Sequence, residues 1–211
     1  MKAFFSILLL FVCGLINATD FDVDNLHYVV LPGESNEVEV SLPGGNTSNN
    51  VVIPSMVGHN GIAYHVTTIA ERGFNSSKLH YITIPPSITE IKSYAFRWAQ
   101  NLKGVKIDDM SAWCSITFWN EGSNPLMNAG DLYLNEVLVK DLVIPDGITS
   151  ITHGAFFCCK SLRSVVIPDN VKAIGRRVFE GCSNLTSITI PEGITNISEG
   201  AFSDCRGLER I

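Results

Sequence analysis

Three cysteines at a fixed interval are the first residues whose type and spacing suggest chemistry. Cys159, Cys182 and Cys205 lie 23 residues apart. Thiolates can bind metals, but zinc sites need closely spaced Cys pairs with Cys or His partners, and no histidine follows this interval. We therefore predict that the three thiols are buried as small apolar side chains at equivalent positions. Disulfide formation stays open for Cys114, Cys158 and one of the three.

The remaining titratable residues form no recognisable catalytic or metal-binding group. The chain has five histidines, His27, His59, His65, His80 and His153. They show no i,i+4 pair, and the chain has no HExxH segment, nucleophile elbow, phosphate-binding glycine loop or dinucleotide fingerprint. Asp108 and Asp109 could bind calcium, but two adjacent acids at a turn are more often solvated. We predict no metal, no cofactor and no catalytic residue.

Hydrophobic side chains follow the same interval as the cysteines. Phe156, Phe179 and Phe202 are 23 residues apart, and so are three prolines, Pro145, Pro168 and Pro191. An earlier copy occupies 79–102, and a half-copy containing Gly73 and Phe74 precedes it. A fixed period of this length is the signature of a stacked repeat protein.

The spacing inside one unit predicts its local structure. Ile188 and Ile190 alternate with Ser187 and Thr189, which predicts a short strand with the isoleucines facing inward. Pro191 cannot continue a hydrogen-bonded ladder, so the strand should end there.

The second half of the unit should return the chain to the core. Ile194 and Ile197 are predicted to be buried, and 200–202 suits a short helical turn in which Phe202 fills the space between coils. Because one unit buries too little surface to offset its ordering entropy, neighbouring units must stack. The predicted fold is a solenoid with one parallel β-strand and one short helical turn per 23-residue repeat.

The period becomes irregular after the copy at 79–102. Counting onward places Trp119 at the phenylalanine position. We expect Trp113, Ile116 and Phe118 to fill the core of this irregular coil in a different arrangement from the regular one. Farther along, two apolar runs, 132–134 and 137–139, are joined by Asn135 and Glu136, which predicts a protruding β-hairpin.

The N-terminus has the pattern of a secretory signal. Lys2 precedes an apolar run over 4–15, and Ala18 supplies the small residue expected before a cleavage site. Strand-like runs at 27–31 and 38–40 then predict a β cap on the first coil. The predicted organisation is a signal peptide at 1–18, an N-terminal β cap at 19–65, repeats at 66–126 with the last one irregular, a hairpin insertion at 127–138, and repeats at 139–211 that are truncated at the C-terminus.

Composition excludes several classes of function. Lys+Arg total 15 against 21 Asp+Glu in 211 residues, a net charge of -6, which argues against a nucleic-acid partner because phosphate contacts need a basic stripe. A hydrophobic content of 45% argues against disorder. No segment after the signal is long and apolar enough to predict a membrane span.

The repeat resembles that of a known family. The segment Leu162-x-x-Val165-x-Ile167-Pro168-x-x-Val171-x-x-Ile174, followed by Phe179 and Cys182, is similar to the repeat of the BspA-like, type-5 or treponemal leucine-rich repeat proteins. The irregular coil of this chain contains Trp113-Cys114-x-Ile116 and is followed by Leu132-Tyr133-Leu134-Asn135. It looks like a coil that is common in family members from gut Bacteroides. The resemblance implies a secreted or cell-surface protein of a host-associated bacterium that adheres to host matrix proteins, glycans or other microbes.

The outward strand positions decide between binding and catalysis. They are Tyr81, Thr83, Gly104, Lys106, Ser164, Val166, Ser187 and Thr189. We find no carboxylate among them, and this disfavours the alternative of a polysaccharide-active solenoid enzyme, which needs acidic side chains stacked on one face. A structural spacer, or a fragment of a longer surface protein, is the second alternative.

The predicted function is therefore a non-enzymatic interaction or adhesion module with a protein or glycan partner on a host or microbial surface. Interface hot spots favour aromatic residues and arginine. The candidate binding residues are Trp98, Tyr133, Arg176, Arg177, Tyr81, Thr83, Lys106, Ser187 and Thr189. The uncapped C-terminal coil is also expected to allow self-association.

Overall fold

The computed structural model describes residues 20–33, 35–44 and 48–208. The predicted signal peptide at 1–18 lies outside these described residues. The described residues form a β-solenoid of about six turns with few helices, which confirms the predicted fold class.

Strands dominate the described chain, and most of them are short. The strands of the N-terminal third are β1 (Asp20–Val23), β2 (Leu26–Val30), β3 (Glu37–Ser41), β4 (Asn50–Val52), β5 (Met56–His59) and β6 (Ile62–Ile69). The middle contains β7 (Tyr81–Thr83), β8 (Glu90–Ile91), β9 (Gly104–Ile107), α1 (Met110–Ser115), β10 (Thr117–Phe118), α2 (Leu126–Ala129), β11 (Leu132–Leu134) and β12 (Val137–Leu138). The last third contains β13 (Asp141–Val143), β14 (Ser150–Ile151), β15 (Ser164–Val166), β16 (Ala173–Ile174), β17 (Ser187–Thr189) and β18 (Asn196–Ile197).

Each regular coil contributes two strands, one to each of two parallel ribbons, whereas the sequence predicted one strand per repeat. The second strand, such as Ala173–Ile174, was missed because it is only two residues long. The first ribbon consists of β4, β7, β9 and β11, and continues after a break with β13, β15 and β17. The second ribbon contains β3, β6, β8 and β10, followed by β14, β16 and β18. In the first ribbon the strands end just before prolines such as Pro85 and Pro168, as the repeat predicts.

The N-terminal segment is continuous with the repeats. Strands β1, β2 and β3 pair antiparallel, but β3 also pairs parallel with β6, and β4 pairs parallel with β7. Strand β6 runs across the predicted boundary between residues 65 and 66. The cap is therefore built partly from strands that already belong to the two ribbons.

The core between the ribbons is a column of stacked side chains. The rings of Phe156, Phe179 and Phe202 lie nearly parallel, with centroids 5.4 and 5.6 Å apart and interplanar angles of 5° and 4°. Phe74 and Phe96 form an equivalent pair at 5.6 Å. Each phenylalanine thus fills the gap between its own coil and the next one.

A left-handed residue two positions before each of these phenylalanines turns the chain. This position holds Arg72, Tyr94, Gly154, Arg177 and Gly200, with φ between 54° and 71°. Glycine adopts this conformation without strain, whereas other residues pay a steric cost. In place of a regular helix, the chain here makes consecutive i+3 hydrogen-bonded turns, for example from the Ala201 amide to the Ser198 carbonyl.

The irregular coil differs from its prediction at Trp119. Phe118 pairs with Ile91 and is buried, so it occupies an isoleucine position, and Trp119 is 55% exposed. The expectation that Trp119 fills the phenylalanine position is wrong. Trp113 instead fills this part of the core, where its indole N–H donates to the Ala155 carbonyl at 3.0 Å.

The predicted hairpin is present but does not protrude. Strands β11 and β12 pair antiparallel across Asn135 and Glu136, while β11 also pairs parallel with β9. The hairpin therefore forms the end of the first half of the ribbon. Because β12 occupies the free edge of β11, the ladder is interrupted before β13.

The coil that contains β17 and β18 has the predicted pattern but is less covered. Ile197 is 46% exposed and Ile194 is half-buried, whereas the equivalent Ile151 and Ile174 are fully buried. The expectation that Ile197 is buried is wrong because no further described coil packs on this side.

Removing the central ring of the phenylalanine stack should destabilise the solenoid strongly. For Phe179→Ala we expect the free energy of unfolding to fall by about 3–5 kcal/mol, because a large buried ring is lost and a cavity remains. Urea denaturation followed by circular dichroism measures the change. Phe202→Ala, at a half-buried ring of the same stack, should lower the free energy of unfolding clearly less. Equal losses for the two variants would contradict a stack in which the central ring is the more deeply buried one.

Candidate binding surface

The outer face of the first ribbon carries most of the predicted binding residues. Thr83, Lys106 and Tyr133 are aligned across β7, β9 and β11, and Tyr81 stands beside Gly104 in the neighbouring row. Two further predicted residues, Ser187 and Thr189, lie on β17, in the part of the ribbon beyond the break. The structure thus brings Tyr81, Lys106 and Tyr133 together and leaves the β17 positions apart.

The outer face contains a carboxylate that the list of outward positions missed. Asp141 aligns with Ser164 and Ser187 across β13, β15 and β17, and Ser164 Oγ donates to Asp141 Oδ1 at 2.5 Å. The expectation of a face without carboxylates is therefore wrong. Asp141 keeps the 23-residue register of Ser164 and Ser187, and it was missed because the outward positions of the copy that begins at 139 were not considered.

Gly104 allows two tyrosine rings to lie together on the sheet. A Cβ on Gly104 would stand 2.7 Å from a ring atom of Tyr133 and 3.0 Å from one of Tyr81. The two ring centroids are 6.5 Å apart at an angle of 68°, an edge-to-face arrangement that aromatic pairs favour. Because Gly104 has no side chain, the two rings can approach each other above β9, the strand that separates β7 from β11.

Charged groups border this tyrosine pair. Lys106 Nζ lies 2.6 Å from Glu136 Oε2 and 5.7 Å from the Tyr81 ring centroid. Burial raises the pKa of the Tyr133 hydroxyl, and the negative charge of Asp131 raises it further, so Tyr133 is a neutral hydrogen-bonding group at neutral pH. The cluster therefore offers two aromatic rings, two phenol hydroxyls, one ammonium group and one carboxylate.

The two predicted arginines make contacts within the protein. Arg177 forms ion pairs with Glu121, on the irregular coil, and with Glu180. Arg176 Nη2 lies 3.1 Å from Glu199 Oε2, and both side chains are more than half exposed. Arg177 thus ties the irregular coil to the C-terminal repeats, which makes it a weaker candidate for partner contact than the sequence suggests.

Trp98 lies on a turn between the ribbons, in a cluster that the sequence prediction named only in part. The guanidinium carbon of Arg97 is 5.0 Å from the Tyr94 ring centroid and 5.4 Å from the Trp98 ring centroid. Trp119 follows the neighbouring strand, and its indole N–H donates to Glu90 Oε1 at 2.6 Å. In the sequence, the adjacent Arg97 and Trp98 were the signal from which this cluster could have been predicted. Tyr94 was missed because the left-handed turn that points it outward was not predicted.

An apolar groove separates the two halves of the first ribbon. It has a volume of about 540 Å³. Its lining includes Met110, Leu134, Val137, Leu138, Leu142 and Val143. Val137 and Val143 are 69% and 65% exposed, so the hairpin and β13 present aliphatic surface on both sides.

The five cysteines of the described residues are free thiols, and four of them, Cys114, Cys159, Cys182 and Cys205, lie in the core. Cys182 Sγ donates to the Phe156 carbonyl at 3.2 Å, and Cys205 Sγ donates to the Phe179 carbonyl at 3.0 Å. Burial raises the pKa of Cys159 to about 12 and that of Cys182 well above its usual value. Each of these two donations connects a coil to the preceding one, and both sulfurs are hydrogen-bonded structural groups.

The described ranges 20–33, 35–44 and 48–208 lack two kinds of feature. They contain no cluster of three or more His, Cys, Asp or Glu side chains suited to a metal ion. None of their helices has the length and apolar character required to cross a bilayer.

The family model that matches this chain and two solved structures that resemble it are all of leucine-rich repeat proteins. The model for the BspA type leucine-rich repeat region matches residues 16–120 and 131–211, in six copies. A leucine rich cell surface protein from Faecalibacterium prausnitzii A2-165 is similar in structure, with a TM-score of 0.58, 27% identity, and coverage of 92% of this chain and 54% of that one. A leucine-rich repeat protein from Bacteroides ovatus ATCC 8483 gives a TM-score of 0.53 and 28% identity, with coverage of 90% and 52%. The chain therefore spans about half the length of these two structures. No curated protein matches it.

Thiol reactivity should distinguish Cys158 from the buried cysteines. Cys158 is half-buried above Gly181, and burial raises its pKa less far than that of Cys182. With a disulfide exchange reagent at about pH 8, we expect Cys158 to react first among the thiols of the folded described chain, and the rest to react only on unfolding. Cys158→Ser should remove that phase, whereas Cys182→Ser should leave it. Fast reaction of Cys182 in the folded protein would contradict the buried thiol column.

Proposed function

Since the chain belongs to the BspA-type leucine-rich repeat family, we propose that it is a non-catalytic binding module whose partner is a protein on a host or microbial surface. Leucine-rich repeats generally mediate protein interactions. The observation that carries the proposal is the cluster of Tyr81, Tyr133 and Lys106 on the outer face of the first ribbon. Tyrosines on a rigid sheet supply contact area at a low cost in side-chain entropy.

The cluster is suited to a protein surface by its shape and chemistry. The two tyrosines and Thr83 lie on strands of one parallel hydrogen-bonded ladder. The backbone is therefore already ordered, and binding costs little conformational entropy. The ion pair between Lys106 and Glu136 stands at the rim, where a partner can replace either contact. Aromatic groups at the centre with charges at the edge are typical of protein interfaces.

Catalysis is not part of this proposal. A glycosidase of the usual kind needs two carboxylates placed on either side of a sugar bond. On the outer face of β13, β15 and β17, the aligned rows contain one carboxylate, that of Asp141, which accepts a hydrogen bond from Ser164. Membership of a leucine-rich repeat family also supports a binding role over an enzymatic one.

We place the protein at the cell surface or outside the cell. The F. prausnitzii structure is described as a cell surface protein. The sequence at 1–18 has the order of charged, apolar and small residues found in secretory signals. Expression with and without 1–18, followed by fractionation, tests this placement.

Binding of the purified chain to an array of host matrix proteins and mucins tests the proposed function. For a saturable partner, the double variant Tyr81→Ala/Tyr133→Ala should weaken binding by about tenfold or more, because both central rings are lost. The matched control is Ser187→Ala/Thr189→Ala, on the same ribbon beyond its break, and it should bind within about twofold of the original chain. Equal effects of the two variants, or binding to none of the array proteins, would contradict the proposal.

A second copy of this chain is a further proposed partner. Ile197 is 46% exposed, and neighbouring apolar side chains of its coil, including Ile188 and Phe202, are only half-buried. Such a surface favours association with another apolar surface. We expect dimers in light scattering at tens of micromolar, about the range of weak protein contacts. Ile197→Lys should give monomers, whereas Val137→Lys on the hairpin should not. A monomeric original chain would contradict this partner.

A further inference from the structure

The three most exposed aromatic side chains of the described residues lie on two consecutive coils. Tyr94, Trp98 and Trp119 are 36%, 54% and 55% exposed, and no other aromatic side chain in the described ranges stands among the exposed large hydrophobic residues. Asn120, next to Trp119, accepts a hydrogen bond from the Tyr94 amide, so the two coils meet at this point. We call Tyr94, Arg97, Trp98 and Trp119 the aromatic-arginine cluster. It stands on residues other than those that carry the proposed function.

The backbone holds this cluster in place. Tyr94 occupies the left-handed turn position and packs over Gly122, where an added Cβ would lie 3.0 Å from its ring. The Trp98 amide donates to Asn75 Oδ1 at 2.5 Å, which fixes the start of its side chain. The exposed rings are therefore attached to ordered turns and lose little freedom when a ligand binds.

Arg97 is a cation whose contacts are aromatic. Its guanidinium lies against the rings of Tyr94 and Trp98 at 5.0 and 5.4 Å. Within the described residues, no carboxylate forms an ion pair with it. Stacking on aromatic rings leaves the edge of a guanidinium open, and that edge donates two parallel hydrogen bonds to a carboxylate.

We propose that the aromatic-arginine cluster binds a sugar that carries one carboxylate, of the sialic acid or hexuronic acid class. The carboxylate would pair with the Arg97 guanidinium. An apolar face of the sugar ring would lie on the Trp98 indole. Binding of this kind needs one positive group beside one flat apolar surface, and Arg97 and Trp98 supply that combination.

The surrounding charges favour a singly charged ligand over a polyanion. Glu90 accepts the Trp119 indole hydrogen, so an acidic side chain borders the cluster. With a net charge of -6, the chain would repel a densely sulfated polymer or an acidic peptide run. A single carboxylate placed on Arg97 avoids most of that repulsion.

Titration of the full chain with defined sugars tests the proposal. The probes are 3′-sialyllactose, a disaccharide with one glucuronic acid, and lactose as the carboxylate-free control, measured by ligand-observed NMR or calorimetry. We expect at least one acidic sugar to bind with a Kd below about 10 mM and lactose to bind at least about tenfold more weakly. The two acidic probes distinguish the sialic from the uronic class.

Variants assign the binding to the cluster. Arg97→Gln should weaken acidic-sugar binding by about tenfold or more, and Arg97→Lys should restore only part of it because a lysine lacks the paired donors. Trp98→Ala should cause a comparable loss. The matched control is Arg163→Gln, another exposed arginine, which should leave the affinity unchanged. Circular dichroism and the melting temperature verify that each variant folds.

Several results would overturn the proposal. They are equal affinity for lactose and the acidic sugars, no binding of either acidic sugar up to about 10 mM, unchanged affinity in Arg97→Gln, or displacement of the sugar by a glutamate-rich peptide at equal concentration. The test is separate from that of the protein partner, because Tyr81→Ala/Tyr133→Ala should leave sugar binding intact.

Discussion

No coil of this solenoid can exist without the coil beside it, and this constraint governs the structure. A strand such as β15 is only three residues long, and its ladder hydrogen bonds run to β13 and β17. The phenylalanine rings have the same requirement, since each one packs on the ring of the adjacent coil. Stability is therefore a sum of interfaces between neighbours, and inward positions can vary only within tight limits of size and shape.

This constraint explains how much of the fold the sequence could predict. Inward residues repeat because every coil has the same packing requirements, so the strand of the first ribbon, its proline end and the phenylalanine stack follow from spacing alone. The short strands of the second ribbon did not follow from it. The left-handed turn position did not follow, because Arg72, Tyr94 and Gly154 share a backbone conformation but no side-chain chemistry. Glycine, and to a lesser degree Asn and Asp, signal such a conformation in a sequence, whereas Arg and Tyr do not.

The irregular coil was harder to predict because its packing is unique in the chain. Trp113 buries its indole and donates to a carbonyl of the next regular coil, which frees Trp119 to face outward. A count along the repeat could not detect this exchange of one tryptophan for another. The same irregularity turns β12 back along β11 and interrupts the ladder before β13.

Both proposed binding clusters lie where the repeat constrains side chains least. Outward positions on the strands and turns can change without disturbing the stack, so they are free to acquire binding residues. Gly104 is the informative exception. It stands at an outward position where the fold itself would accept a side chain, yet a Cβ there would collide with Tyr81 and Tyr133. Glycine is usually unfavourable within a strand. Its presence under two tyrosine rings is therefore better explained by the arrangement of those rings than by the requirements of the solenoid, and this is the reason for placing the proposed binding surface on this part of the ribbon.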